Sequence, residues 1–180
     1  MEIFIVGVMV VALMVYVSTR IKKSAARAFE PETIDIGDFT INKPAGFINP
    51  VNDDSAFAFE AYTKDFGTDE AKDFRQARAR LRVISDLSFD AVCRKAKQSA
   101  AKIVSKNFSA NDASNERTFL LETEGVENGV PIFSFWKIVE SGGGERRKIY
   151  ELQISVLDEY KLKFADETAE MIESFAVKQM

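Results

Sequence analysis

The sequence predicts an α+β fold: an antiparallel sheet packed with two long helices, in the order β-β-β-α-β-β-β-α, preceded by an N-terminal transmembrane helix. Three observations carry that expectation. Apolar and polar residues alternate almost strictly over Gln76–Ile84 and Ile149–Val156, the period of a half-buried strand. Apolar residues recur at helical spacing over Ser88–Lys106 and Leu157–Val177. Every residue from Ile3 to Val17 is apolar or Gly.

The apolar start is the strongest single signal. Ile3 to Thr19 is an uncharged stretch of 17 residues, about 26 Å as a helix, at the lower limit for crossing a bilayer. Arg20, Lys22 and Lys23 follow it and can snorkel to the headgroups, with Tyr16 at the interface. A buried core helix rarely begins a chain with so long an apolar stretch. A cleaved secretory signal would carry its basic residues first; here Glu2 leads and Arg20, Lys22, Lys23 and Arg27 trail. A type IV pilin-like start lacks the expected leader before Met1. The reading is therefore an uncleaved single-pass cell-membrane anchor over residues 1–29 and a globular domain over 30–180. The basic excess after the span places that domain on the cytoplasmic side.

Pro31 ends the first helix, because the residue before a proline is pushed towards extended geometry. Thr33–Ile41 reads as a strand pair or one bent strand with a kink at Gly37-Asp38, and Ala56–Thr63 as a further strand. In Gln76–Ile84, Ala77, Ala79, Leu81 and Val83 point inward and Arg78, Arg80 and Arg82 outward. Those arginines suit either an anion site or, as the simpler account, the solvated face of an edge strand. Ser88 is placed to cap the next helix, Asp90 suits its positive end, and Cys93 falls on its apolar stripe as a core residue. Then follow three strands, the first two joined by the hairpin signal Asn128-Gly129. Phe133, Phe135 and Trp136 in the second are candidates to line a small apolar ligand site or a partner face.

Composition excludes much chemistry. The 180 residues include no His and one Cys, so neither a Ser-His-Asp nor a Cys-His nucleophile pair can form, nor a His-ligated metal site or an intramolecular disulfide. Four of the 24 basic and one of the 28 acidic residues lie in residues 1–28, leaving 20 against 27 and a net charge of −7 beyond them. An acidic domain is a poor nucleic-acid binder. Gly142-Gly143-Gly144 lies between strands and lacks the helix and lysine of a phosphate loop. Asn52-Asp53-Asp54 lacks the spacing of a calcium loop. No catalytic residue, cofactor or metal is assigned.

The order of elements, with "FTINKPAGF" at Phe39–Phe47 and "AEMIESF" at Ala169–Phe175, resembles the PsbP/DcrB-type α/β/α sandwich over residues 33–178. The chain departs from that group's lipoproteins and thylakoid members in having neither a lipobox cysteine nor a transit peptide. The resemblance implies a non-catalytic accessory protein that binds a larger complex, with no catalytic residues carried over. The combined expectation is a membrane-tethered interaction domain whose partner is another membrane-associated protein. The alternative is a binding module for a small apolar ligand held between sheet and helix.

Overall fold

A computed structural model describes residues 2–50, 56–111, 116–142 and 147–178, and leaves out the side chains of 2–8, 10, 21 and 23–25. Asn52-Asp53-Asp54 and the centre of the glycine run at 142–144 thus lie outside the described residues. Helix α1 (Glu2–Arg27) leads into a hairpin, β1 (Glu32–Ile36) and β2 (Phe39–Lys43). Short strands β3 (Phe47–Ile48) and β4 (Phe59–Thr63) precede β5 (Ala77–Ile84) and helix α2 (Phe89–Gln98). Then come β6 (Lys102–Asn111), β7 (Glu116–Glu127), β8 (Val130–Ser141), β9 (Lys148–Leu157), helix α3 (Ala165–Ser174) and β10 (Ala176–Val177).

Among the described residues ten strands make two sheets, β1-β2-β10 and β3-β4-β5-β9-β8-β7-β6, and every named pairing is antiparallel. The period of two gives the large sheet two unlike faces. On the front, Ala77, Ala79 and Leu81 of β5 and Tyr150, Leu152, Ile154 and Val156 of β9 form one core with Phe39 and Ile41 of β2, Met171 of α3, and Phe175. Phe39 and Phe175 meet edge to face with centroids 6.2 Å apart. On the back, α2 sets Phe89, Val92, Cys93 and Ala96 against Phe119, Leu121, Trp136, Ile138 and Ile149. Each fully buried Phe or Leu contributes about 1.5–3 kcal/mol by leaving water, so the front core dominates the fold.

Local chemistry accounts for the turns. The Ser88 hydroxyl accepts the Ala91 N–H at 3.3 Å and starts α2. Asn128 and Gly129 both take positive φ, 50° and 86°, which the tight β7–β8 hairpin requires.

Three expectations are corrected here. The two long helices are ten residues each. α2 stops at Gln98, and Lys102–Lys106 belongs to β6, because pairing with β7 outcompetes the helical spacing of Ile103 and Val104. Leu157–Val177 is not one helix: a 3-10 turn at Asp158–Tyr160 precedes α3, and Ala176–Val177 pairs with β2.

At α1, the described side chains from Val11 to Arg20 are all exposed, Met14 by 65% and Leu13 by 62%, so this apolar stretch packs against nothing in the domain. Val17, Arg20 and Lys22 are likewise exposed, whereas the side chains of Ile3 and Lys23 lie outside the described residues. Over the described residues no helix is long and apolar enough to cross a membrane. The exit of α1, in contrast, is tied down. Lys43, 1% exposed, donates from Nζ to the carbonyls of Ala28 (3.2 Å), Phe47 (3.0 Å) and Glu30. Gly46 N–H donates to Phe29 O at 2.9 Å.

Candidate functional site

The back of the large sheet is only half covered. α2 is short and sits over β7 and β8; among the described residues the outward side chains Glu60 and Tyr62 of β4, Arg78 and Arg80 of β5, and Gln153 and Ser155 of β9 are only half-buried. The outward residues of β5 fall there by period: Arg78 opposite Ser155, Arg80 opposite Gln153, Arg82 opposite Glu151. β5 lies between β4 and β9, so the edge-strand account of Gln76–Ile84 does not hold. The long exposed edge is β6, all ten of whose residues are exposed.

The three arginines have different surroundings. Arg80 Nε meets Glu60 Oε1 at 2.9 Å, and its guanidinium lies 4.5 Å from the centre of the Phe57 ring. Arg82 lies 5.0 Å from the same ring and 4.0 Å from Glu151 Oε1. Glu151 is 8% exposed, and burial pushes its carboxyl above the usual range against the pull of Arg82 and Lys95. Arg78 is half-buried, and its side chain makes no hydrogen bond or ion pair with the described residues. Burial and then the neighbouring Arg80 lower its pKa, with Glu127 and Glu60 opposing.

Arg78 opens onto a cleft of about 710 Å3 whose walls include Tyr62, Phe66, Phe74, Arg75 and Glu127. One wall is the loop between β4 and β5, closed by a bridge between Phe66 and Arg75 and by Gly67 N–H donating to Phe74 O at 2.9 Å. The Arg75 guanidinium stacks 3.9 Å from the Phe66 centroid and 4.6 Å from that of Tyr62, and its Nη1 donates to Lys64 O at 2.5 Å. Gln76 Nε2 holds the Phe66 carbonyl at 2.9 Å, while Lys163 Nζ holds Gln76 Oε1 at 2.8 Å. A glycine is required at 67, where a Cβ would lie 2.6 Å from Leu157 Cδ1 and 2.9 Å from the Ala71 carbonyl. The result is a braced cleft with an aromatic wall, an acidic rim and one guanidinium whose donors are unengaged by the described residues.

Phe133, Phe135 and Trp136 do not form one wall. The pleat sends Phe133 and Phe135 to the front and Trp136 to the back, under α2. Phe133 is fully buried, its ring capped by Lys161 Nζ at 3.4 Å, and Trp136 is 8% exposed with Nε1 donating to Thr123 Oγ1 at 3.4 Å. All three serve packing, and an apolar ligand lined by them jointly is geometrically precluded. Of the sequence candidates, the three β5 arginines share the back of the sheet, while Phe133 and Phe135 share the front with ring centroids 4.8 Å apart. The residues missed, Tyr62, Phe66, Arg75 and Glu127, come from β4, its following loop and the end of β7, joined only by long-range pairing.

No family model and no curated protein matches the chain. Solved structures do match in fold. The structure of LpqN, involved in cell envelope biogenesis of Mycobacterium tuberculosis, superposes with a TM-score of 0.58 at 11% identity, covering 83% of this chain and 91% of that one. Cyanobacterial PsbP (CyanoP) from Synechocystis sp. PCC 6803 gives 0.53 at 13% identity, covering 83% and 94%. A Pseudomonas aeruginosa protein of unknown function gives 0.50 at 11% identity, covering 84% and 99%. The chain therefore has the PsbP-like α+β fold anticipated from its element order.

Proposed function

We propose that the protein is a non-catalytic, membrane-tethered interaction domain that docks a membrane-associated partner in the cleft on the back of its sheet. The observation that carries this reading is the pairing of an unpacked apolar helix with a clamped exit. Residues 3–17 are apolar or Gly, and the described side chains among them are exposed. Lys43 fastens the segment after α1 to the domain, so a span in the bilayer would hold the cleft at a fixed height above it. Tethering raises the local concentration of the domain around its partner without any new contact. The basic residues Arg20, Lys22, Lys23 and Arg27 favour the cytoplasmic face. The structural neighbours include LpqN, involved in cell envelope biogenesis, and PsbP, in keeping with an accessory role.

The test is crosslinking in intact cells, membrane fractionation, and identification of proteins joined to the full chain, beside a chain beginning at Glu32. The expected result is a near-stoichiometric membrane partner that is lost with residues 1–31. No enriched protein, or the same protein recovered without the anchor, would overturn the tethered reading.

A further inference from the structure

Resting on that reading, we propose that the cleft takes a side-chain carboxylate of an extended partner segment whose flanking residues are basic, with Arg78 as its bidentate donor. Arg78 is half-buried, faces a cleft of about 710 Å3, and its guanidinium makes no hydrogen bond or ion pair with the described residues. The neighbouring cations are engaged: Arg80 by Glu60, and Arg75 by the Lys64 carbonyl and two aromatic rings. A guanidinium offers five donors in a planar fork, and leaving them unmet in a partly desolvated site is unfavourable. A carboxylate satisfies two of them at once.

The rim selects which anion enters. Glu70, Asp73 and Glu127 line the same cleft and outnumber the one cation there that no described residue engages. A phosphate dianion or a nucleic-acid backbone meets net like charge there, whereas one carboxylate accompanied by cations meets complementary charge. Acid also lies on both sides of Arg78. Glu60 is held by Arg80, but Glu70 and Asp73 lie in the loop after β4 and Glu127 ends β7, so acid lines the cleft on both sides of β5. A segment running through with a basic residue two positions either side of its acid matches that order, since residues i and i±2 of an extended chain share a face. A chain terminus would leave one acidic flank unmatched. The walls Tyr62, Phe66 and Phe74 offer apolar surface for the stems of such side chains.

The full chain in detergent micelles, with nitrogen-15 arginine, is titrated with acetyl-Lys-Ala-Glu-Ala-Lys-amide while the Arg78 Nε–H resonance is followed. The matched Gln peptide, a peptide with its only carboxylate at the C-terminus, and inorganic phosphate are run in parallel. The Glu peptide is expected to shift that resonance saturably and to bind about tenfold more tightly than the Gln peptide. Arg78→Gln should abolish the difference, Glu127→Gln should weaken the Glu peptide, and Arg82→Gln should leave it unchanged. Equal binding of Glu and Gln peptides, tighter binding of phosphate or of the terminal carboxylate, or no saturable shift would overturn the assignment. If Arg78→Gln still crosslinks the same membrane partner in cells, the tethered role stands and only the occupant is refuted.

Discussion

Replacing Lys43 by Met probes the joint between α1 and the domain. The ammonium is 1% exposed and holds three carbonyls, two in the segment just after α1 and one in β3. Hydrogen bonds from a charged donor contribute about 1.5–3 kcal/mol each to stability. Ala28 and Glu30 are exposed residues, so water can replace the lysine at their carbonyls; Phe47 is buried, and its carbonyl loses its partner at a cost of about 1–3 kcal/mol. Against this, Met avoids the desolvation that lowers the pKa of Lys43. The net expectation is a loss of about 2–4 kcal/mol, or roughly 4–16 °C in Tm for a domain of this size. Urea unfolding of the full chain in detergent gives the free energy. Amide exchange at Gly46, whose N–H donates to Phe29 O, reports the joint itself and should accelerate. A loss below about 0.5 kcal/mol with unchanged exchange at Gly46 would refute the clamp, since that is the range of an ordinary surface substitution.

Four further outcomes follow from the geometry. Lys137→Met removes the donor to Ile172 O (2.8 Å) and Phe175 O (2.7 Å) at the end of α3, and should lower stability by about 2–3 kcal/mol in urea melts. Burial pushes the Cys93 thiol up to about 11, so native protein at pH 8 should react with a thiol reagent far more slowly than unfolded protein; equal rates would contradict the packing of α2. The folded form holds that proton above the ordinary value of 9.0, so stability should fall as pH rises from about 9 to about 11, with Tyr150, raised to about 12, extending the loss. Gly67→Ala drives a methyl into Leu157 and the Ala71 carbonyl; it should cost about 1–3 kcal/mol and disturb the Phe66–Arg75 wall, seen as shifted Arg75 side-chain resonances.

Local pattern anticipated much of the fold. The alternation in β9 and in β5 as far as Leu81, the Ser88 cap and the Asn128-Gly129 turn each act within a few residues and are found where the sequence puts them, whereas Val83, expected inward, is 41% exposed. Where the sequence misled, long-range pairing decided. Ala100, Ile103 and Val104 continue the helical spacing of α2, yet β7 supplies a partner for Lys102–Asn111, and the helix stops at Gln98. β10 exists only because β2 lies beside the end of α3, a neighbour over 130 positions away. The site divides the same way. The outward arginines were legible from alternation, but their status was not, because an edge strand and a central strand with an uncovered face read alike. Phe133, Phe135 and Trp136 were grouped by proximity in sequence, and the pleat separates them. The aromatic wall had no local signal, since Phe66 faces Arg75 only through the closed loop.

The most direct test of the tethered docking role is site-specific photocrosslinking from position 62 of the full chain in living cells, followed by membrane fractionation. The account predicts that the protein sediments with membranes and that Tyr62, in the cleft wall, crosslinks to one membrane protein. It also predicts that the same probe at Leu162, which is 90% exposed and not among the cleft's lining residues, does not. Recovery in the fraction free of membranes, or equal crosslinking from both positions, would contradict it.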